Sequence, residues 1–160
     1  MPIYLNYKEG AVKGDVTESN HKNWIELSSF QWGVGRGISS PTGASADRES
    51  SAPSVSEIVV TKAQDVSSVG LLTEALQGDG AKAQIDFCRT NKDQMEVYLT
   101  IELENVMISG FSTSSGGDRP TESVSLNFTK IMAKGTQMKQ DGSAAEPANI
   151  SYDLSTAKAA

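Results

Sequence analysis

Alternation of apolar and polar residues with a period of two runs through most of this chain. That period is typical of β-strands with one buried face, because successive side chains of a strand point to opposite sides. The pattern is clearest in Ile3-Tyr4-Leu5-Asn6-Tyr7 and in Ser123-Val124-Ser125-Leu126-Asn127. Together with flanking turn residues, it predicts strands at 3–8, 24–34, 55–62, 82–87, 97–111 and 123–128, with a last short strand at 148–154.

Two of the predicted strands change their apolar face part of the way along. Ile25 and Leu27 share one face, whereas Phe30 lies in the opposite phase, so we expect a bend near Ser28-Ser29. In the longest strand the apolar phase slips after Leu103 in the same way. A strand of period two can change face only at a bulge or bend, so we predict a second irregularity near Glu104-Asn105.

One segment has helical rather than strand periodicity. Val69, Leu72 and Leu76 recur at helical spacing, with Ala75 beside them, and we expect this stripe to pack on the sheets. Asp65 is a suitable N-cap for a helix from residue 66 onward. Gly78 and Gly80 follow as stop signals.

Several strands and one short helix predict a mainly β fold. We expect an antiparallel β-barrel or sandwich of two sheets with a single flanking helix. The chain has 160 residues, which suits one domain spanning 1–160.

Two segments interrupt the strand pattern. Residues 36–54 form a long stretch rich in Ser, Gly and Pro, which is either a disordered linker or a docking loop, since loops of this length are uncommon in compact domains. Residues 112–121 connect two strong strands, and a hairpin is the default interpretation.

Charge and targeting signals narrow the function classes. The formal net charge of −6 argues against nucleic acid and anionic membrane surfaces as partners. The N-terminus lacks the pattern of a signal peptide, and no apolar run is long enough for a membrane span, so we expect no membrane insertion and a cytoplasmic protein. Cys88, the single cysteine, lies in a predicted strand and is expected to be buried and inert.

Residues for catalysis or cofactor binding are sparse. His21 is the single histidine, lies in a polar stretch and is expected at the surface. A zinc site is nearly excluded with one Cys and one His. The glycines at 33–37 are not followed by the helix that a dinucleotide fingerprint needs, and Glu102 and Glu104 are interpreted as a solvated strand face. We predict no catalytic residue, no metal, no cofactor and no enzymatic activity.

The order and spacing of several short segments are similar to those of a known family. The segments are Val12-Lys13-Gly14-Asp15, Ile25-Glu26-Leu27, Phe30-Gln31-Trp32-Gly33, residues 55–62, the helix after Asp65, residues 98–103 and residues 121–128. Over essentially the whole chain this succession resembles the hemolysin-coregulated protein (Hcp) family of bacterial type VI secretion.

The resemblance implies a tube subunit. It implies a homohexameric ring that stacks with other rings into the inner tube of an injection machine, with sheath and spike components and small effectors as partners. It also implies secretion through this apparatus without a signal peptide. A free ring that carries small effectors in its lumen is the alternative, and a ligand-binding β-barrel is a third reading that the bulky inward residues oppose.

The resemblance also suggests where contacts lie. Gln31, Trp32 and Arg36 are candidate contacts between subunits or rings, with Trp32 equally suited to the core. Asp47, Arg48 and Glu49 of the long loop could form charge-assisted contacts of the same kind. The small polar residues Ser112, Thr113, Ser114 and Ser115 are candidates for the lumen wall, where an ordinary hairpin loop is the competing interpretation.

Overall fold

The computed structural model describes residues 1–39, 42–43, 50–138 and 144–159. Strands dominate, joined by one α-helix and a short 3₁₀ turn at Lys8–Gly10. The strands are β1 (Ile3–Tyr7), β2 (Ile25–Leu27), β3 (Ser29–Gln31), β4 (Val34–Gly35), β5 (Ser54–Val55), β6 (Ile58–Ala63), β7 (Ala81–Asn91), β8 (Gln94–Ser114), β9 (Thr121–Asn127), β10 (Lys130–Met138), β11 (Ala144–Asp153) and β12 (Lys158–Ala159), and helix α1 is Ser67–Gln77.

Ten of the described strands form two antiparallel sheets that share β8, whereas β4 and β5 pair with each other separately. Sheet A has the order β12-β11-β10-β8-β7-β1-β2, and sheet B has the order β3-β6-β9-β8. The first part of β8 belongs to sheet A and its last part to sheet B. The described strands do not close into a barrel, so the sandwich alternative of the predicted fold is the one confirmed.

Both predicted changes of face are the points where the chain crosses between sheets. β2 pairs with β1 in sheet A, whereas β3 pairs with β6 in sheet B, and Ser28 lies between them. In β8 the register against β7 gains a residue between Leu103 and Val106, and Asn105 there has a φ of 54°. At each irregularity the chain therefore passes from one sheet to the other, and its apolar side chains face the core in both sheets.

The main core lies between the sheets. Its fully buried residues are mostly β-branched or leucine side chains from alternate strand positions, as the period of two requires. They include Leu5, Ile25, Ile85 and Leu103 from sheet A and Ile58, Val60, Val124 and Leu126 from sheet B.

The helix begins at Ser67, one residue after the predicted start, and presents a different face to the core than predicted. The Asp65 Oδ1 atom accepts a hydrogen bond from the backbone N–H of Ser67 at 2.9 Å, and Gly78 ends the helix. Leu71 is fully buried, whereas Val69, Leu72 and Leu76 are 74%, 43% and 79% exposed. The prediction that these three residues pack on the sheets is wrong: Leu71, with the small residues Ser67 and Ser68 beside it, fills the space over the sheets.

A second, smaller core covers the outer side of sheet A. Tyr4, Val16 and Cys88 are buried together there, which confirms the predicted burial of Cys88. Val97 packs in this cluster rather than with Ile101 and Leu103, because the register shifts again between Phe87 and Cys88.

His21 belongs to this second core, so its predicted surface position is wrong. Only 3% of the residue is exposed, and its ring packs against Tyr4 and Trp24. The polar segment that contains it folds back over sheet A, where the backbone N–H of Asn23 donates to the Val16 carbonyl at 2.8 Å.

Two strands near the end of the chain differ from the sequence prediction. β10 was not predicted, although Ile131 in it is buried. β11 is longer than the predicted strand at 148–154 and pairs with β10 along most of its length.

Candidate assembly surface

The outward face of sheet B carries mostly small polar side chains. Strand registers place Ser112 opposite Ser123 and Ser114 opposite Thr121. On β3, Gln31 pairs with Val59 and is exposed, with its side chain on the same outward face. The face comprises Ser29, Gln31, Val59, Thr61, Ala63, Met107, Ser112, Ser114, Thr121, Ser123, Ser125 and Asn127.

One acidic residue at the rim ties three strands of this face together. The Glu57 carboxylate accepts a hydrogen bond from the Ser109 hydroxyl at 2.9 Å and from the Asn127 side-chain amide at 3.1 Å. Glu57 precedes β6, whereas its partners lie on β8 and β9. These hydrogen bonds link the start of β6 to β8 and β9 through the Glu57 carboxylate.

The predicted lumen residues divide between two faces and a turn. Ser112 and Ser114 lie on the outward face, whereas Thr113 pairs with the buried Glu122 and so points to the other side of the sheet. The Ser115 hydroxyl donates to the Asp118 carbonyl at 2.7 Å and accepts from the Gly117 N–H. Ser115 therefore shapes the β8–β9 hairpin.

Sheet B ends at two open edges within the part of the chain that the structure describes. β3 pairs there with β6 alone, and the last part of β8 pairs with β9 alone. Each edge leaves a row of backbone N–H and carbonyl groups without a neighbouring strand, which is a template for pairing with another chain.

Trp32 follows the β3 edge and anchors the next turn. Its indole N–H donates to the Ser56 carbonyl at 3.1 Å, and its ring packs against the main core. Gln31 and Trp32 lie on opposite faces, as strand alternation predicts. Trp32 also forms one wall of a groove with Val34, Pro53, Val55, Ile131, Ala133, Ile150, Ser151 and Tyr152.

The long loop leaves the sandwich through a paired stem. Val34 pairs with Val55, and Ile38 forms a bridge with Ser50. Arg36 lies exposed on this stem. Asp47, Arg48 and Glu49 lie outside the described residues.

Four buried or partly buried residues are of types that act in catalysis elsewhere, namely His21, Glu18, Asp86 and Cys88. Here their side chains pack against one another inside the second core. The His21 ring nitrogens lie 2.5 Å from Glu18 Oε2 and 2.9 Å from Asp86 Oδ2, and the Cys88 Sγ atom lies 4.0 Å from Nε2. Burial, with help from the Asp86 and Glu18 carboxylates, raises the pKa of the Cys88 thiol to about 11. A neutral thiol sealed in a core is a poor nucleophile.

Neither a metal-binding cluster nor a membrane-spanning helix occurs in the described part of the chain. Those residues contain no group of three or more His, Cys, Asp or Glu side chains placed to hold a metal ion. Among them there is also no helix of the length and apolar character that crossing a bilayer requires.

Comparisons with known proteins point to one family. The model of the family described as "Type VI secretion system effector, Hcp" matches residues 4–134. Protein hcp1 of Pseudomonas aeruginosa is 28% identical over 145 residues, covering 89% of this chain and 88% of that protein.

Solved structures have the same fold. A type six secretion system protein superposes with a TM-score of 0.89 at 26% identity, covering 99% of both chains. Hcp1 from Salmonella typhimurium superposes with a TM-score of 0.75 at 19% identity, covering 99% of this chain and 98% of that one. At 19% identity, the likeness to Hcp1 from Salmonella typhimurium shows the fold alone. The family model matches most of the chain, and a solved structure at 26% identity has the same fold over its full length. The chain therefore belongs to the Hcp family of type VI secretion.

Proposed function

We propose that this protein is a structural subunit that assembles into homohexameric rings, and that the rings stack into the inner tube of a type VI secretion machine. The observation that carries this proposal is sheet B, whose outward face is polar and whose two edges are open in the described part of the chain. The proposed role is structural rather than catalytic.

The two edges suit a ring because they are different. β3 of one copy can pair with the last part of β8 of the next copy, and the same contact can repeat around the ring. A heterologous contact of this kind closes into a ring when its rotation fits. Pairing also satisfies backbone groups that would otherwise template aggregation.

The polar face then becomes one continuous surface. Four strands from each copy would contribute their serine and threonine hydroxyls to it. Small hydroxyl groups keep their hydrogen bonds with water and present few obstacles, which suits the wall of a channel that small effectors cross. The proposed lumen contacts are accordingly Ser112 and Ser114, with Gln31 on the same face.

The remaining proposed partners are inferred from membership of the Hcp family. We infer contact with sheath and spike components, and delivery from the cytoplasm through the apparatus without a signal peptide. Nucleic acid and a membrane interior are not among the proposed partners, since the chain is acidic with a net charge of −6.

Light scattering and electron microscopy of the purified protein test the ring. We expect a mass near that of a hexamer and end-on views with a central channel. A large charged side chain at the β3 edge, as in Gln31→Arg or Gln31→Glu, should weaken the ring while the circular dichroism spectrum stays unchanged. Gln94→Arg adds the same charge at an exposed position of sheet A and is the matched control. A protein that stays monomeric at millimolar concentration would refute the proposal.

A free ring that carries small effectors is the second candidate, favoured by the same polar face. Stacking separates the two. Rings that load an effector but never form tubes under any assembly condition would favour the free carrier.

A further inference from the structure

Helix α1 carries an apolar stripe on its solvent side. Val69, Leu72 and Leu76 line this stripe, and Val66 extends it at the N-terminal end with 64% of its surface exposed. Glu74 is the single charged residue of the helix and points elsewhere, because its Oε1 atom pairs with Lys8 Nζ at 3.0 Å.

A stripe of this kind is unusual for a helix at a protein surface. Amphipathic surface helices place charged and polar residues outward, and a helix that is apolar on all sides is normally buried. Contiguous exposed apolar patches on soluble proteins mark interaction sites. The outer side of α1 is therefore a candidate interaction surface.

The apolar groove beside β3 is a second surface of this character among the described residues. Trp32, Val34, Ile131 and Ile150 are among the residues that line it. Its lining residues include no charged side chain, and Val34 and Ile150 are 54% and 59% exposed. The groove thus matches the stripe in chemistry, and neither surface would bury an unpaired charge against the other.

The two surfaces lie beside the two different edges of sheet B. The helix packs against β8, and Gly80 after the helix approaches the Asn105 side chain at the point where β8 enters sheet B. The groove begins at Trp32, the first residue after β3. A ring contact that joins β3 of one copy to β8 of the next would bring the groove and the helix to the same junction.

We propose that the exposed stripe of α1 in one copy docks into the Trp32–Ile150 groove of its neighbour in the ring. This inference rests on the proposed ring function and adds the apolar contact that stabilises it. Edge pairing alone is marginal in water, whereas burial of leucine and valine side chains supplies a driving force for association.

Substitutions at the stripe test the contact. Leu76→Glu is expected to weaken ring association by about tenfold or more, since a buried leucine contributes at least that factor. Because Leu76 is 79% exposed in the single chain, thermal melting of the dilute monomer should not change. Leu76→Met keeps an apolar side chain of similar size and should assemble as the wild type does.

Disulfide crosslinking tests the pairing itself. Oxidation of Leu72→Cys/Ile150→Cys should give a ladder of covalent multimers on non-reducing gels, because each copy offers one cysteine to each neighbour. The native Cys88 is buried and stays silent. Leu72→Cys/Gln94→Cys has the same number of surface thiols and should give no ladder.

The outcomes separate the two proposals. Wild-type rings together with an unaffected Leu76→Glu variant and no ladder would overturn this contact and leave the ring function standing. A wild type that is monomeric throughout would overturn the ring function and this contact with it.

Discussion

The Lys62 Nζ atom lies 2.7 Å from Glu122 Oε1, and both side chains are buried, with exposures of 0% and 3%. Ser68 at the start of α1 also donates to this carboxylate oxygen at 2.6 Å, and Asp65 Oδ1 lies 2.9 Å from Lys62 Nζ. The pair therefore fastens the first turn of the helix to β6 and β9 from inside the sandwich. A buried charge pair with its hydrogen bonds satisfied fixes geometry more than it adds stability.

Breaking this pair should be costly. Lys62→Met leaves Glu122 buried with Ser68 as its remaining partner, and we expect the free energy of unfolding to fall by about 3–5 kcal/mol. Urea denaturation followed by circular dichroism measures this loss. The double variant Lys62→Met/Glu122→Leu removes both charges and should recover much of the stability. If the double variant is as unstable as the sum of its singles, the two charges are not coupled.

The second buried polar cluster should make stability depend on acid pH. The His21 ring lies between two carboxylates, with its nitrogens 2.5 Å from Glu18 Oε2 and 2.9 Å from Asp86 Oδ2. Burial tends to raise the pKa of the Glu18 carboxyl, but hydrogen bonds from His21, the Asn20 N–H and Ser19 outweigh it and lower this pKa below its ordinary 4.5.

A carboxyl with a lowered pKa in the folded state stabilises the fold above its unfolded pKa, and this contribution disappears as pH falls through the folded value. Glu18→Gln should therefore melt at a lower temperature than the wild type at pH 7. The difference should shrink as the pH falls through the lowered pKa of Glu18, where the wild-type carboxylate takes up a proton. Melting curves from pH 3 to pH 7 decide this, and a constant difference across the range would contradict the prediction.

Strand periodicity predicted more of the fold than of the assembly surface. The face changes at Ser28 and Glu104-Asn105 were visible because each one inverts the apolar phase of a strand. The helix face was mispredicted because both sides of α1 carry leucine, so periodicity could not tell the buried Leu71 from the exposed Leu72 and Leu76.

Other features of the fold could not be predicted from the local sequence pattern. β10 carries Lys130, Lys134 and Gly135 among its apolar residues, and its identity as a strand comes from pairing with β8 and β11. His21 lies among polar residues, and its burial depends on Asp86, which is distant in sequence. A pattern in one segment cannot report partners that only the tertiary fold brings together.

The state of Cys88 can be checked with a thiol reagent. Burial and nearby carboxylates raise its pKa to about 11 and its surface exposure is 0%, so the native protein should not react with DTNB at pH 8 on a timescale of minutes. One thiol per chain should react after addition of guanidinium chloride. Prompt reaction of the folded protein would show that the second core opens readily.

The outward face of sheet B can be tested for contact with cargo. Ser112→Trp places a bulky ring on this face and should reduce the amount of a small effector that co-purifies with the ring. Thr113→Trp is the matched control, since the neighbouring residue points to the other side of the sheet. Ring formation by size-exclusion chromatography should persist in both variants. Equal effector retention in the two proteins would favour an ordinary hairpin strand without a role in carriage.

Shortening the long loop tests whether it is a linker or a docking element. We propose that Asp47, Arg48 and Glu49 make charged contacts between rings, so replacing residues 39–49 with a short Gly-Ser turn should impair stacking. The stem should survive this change, because the Ser51 N–H bonds to the Gly37 carbonyl at 2.9 Å and Val34 still pairs with Val55.

Thermal melting should stay near the wild-type value in the shortened protein, since loop closure depends only weakly on length. Microscopy should show rings but few tubes, and export into the culture supernatant should fall. Charge reversal at Arg48→Glu with the full loop retained is the finer test, because it changes a contact without changing length. A shortened protein that stacks and is exported like the wild type would identify residues 39–49 as a simple connection between β4 and β5.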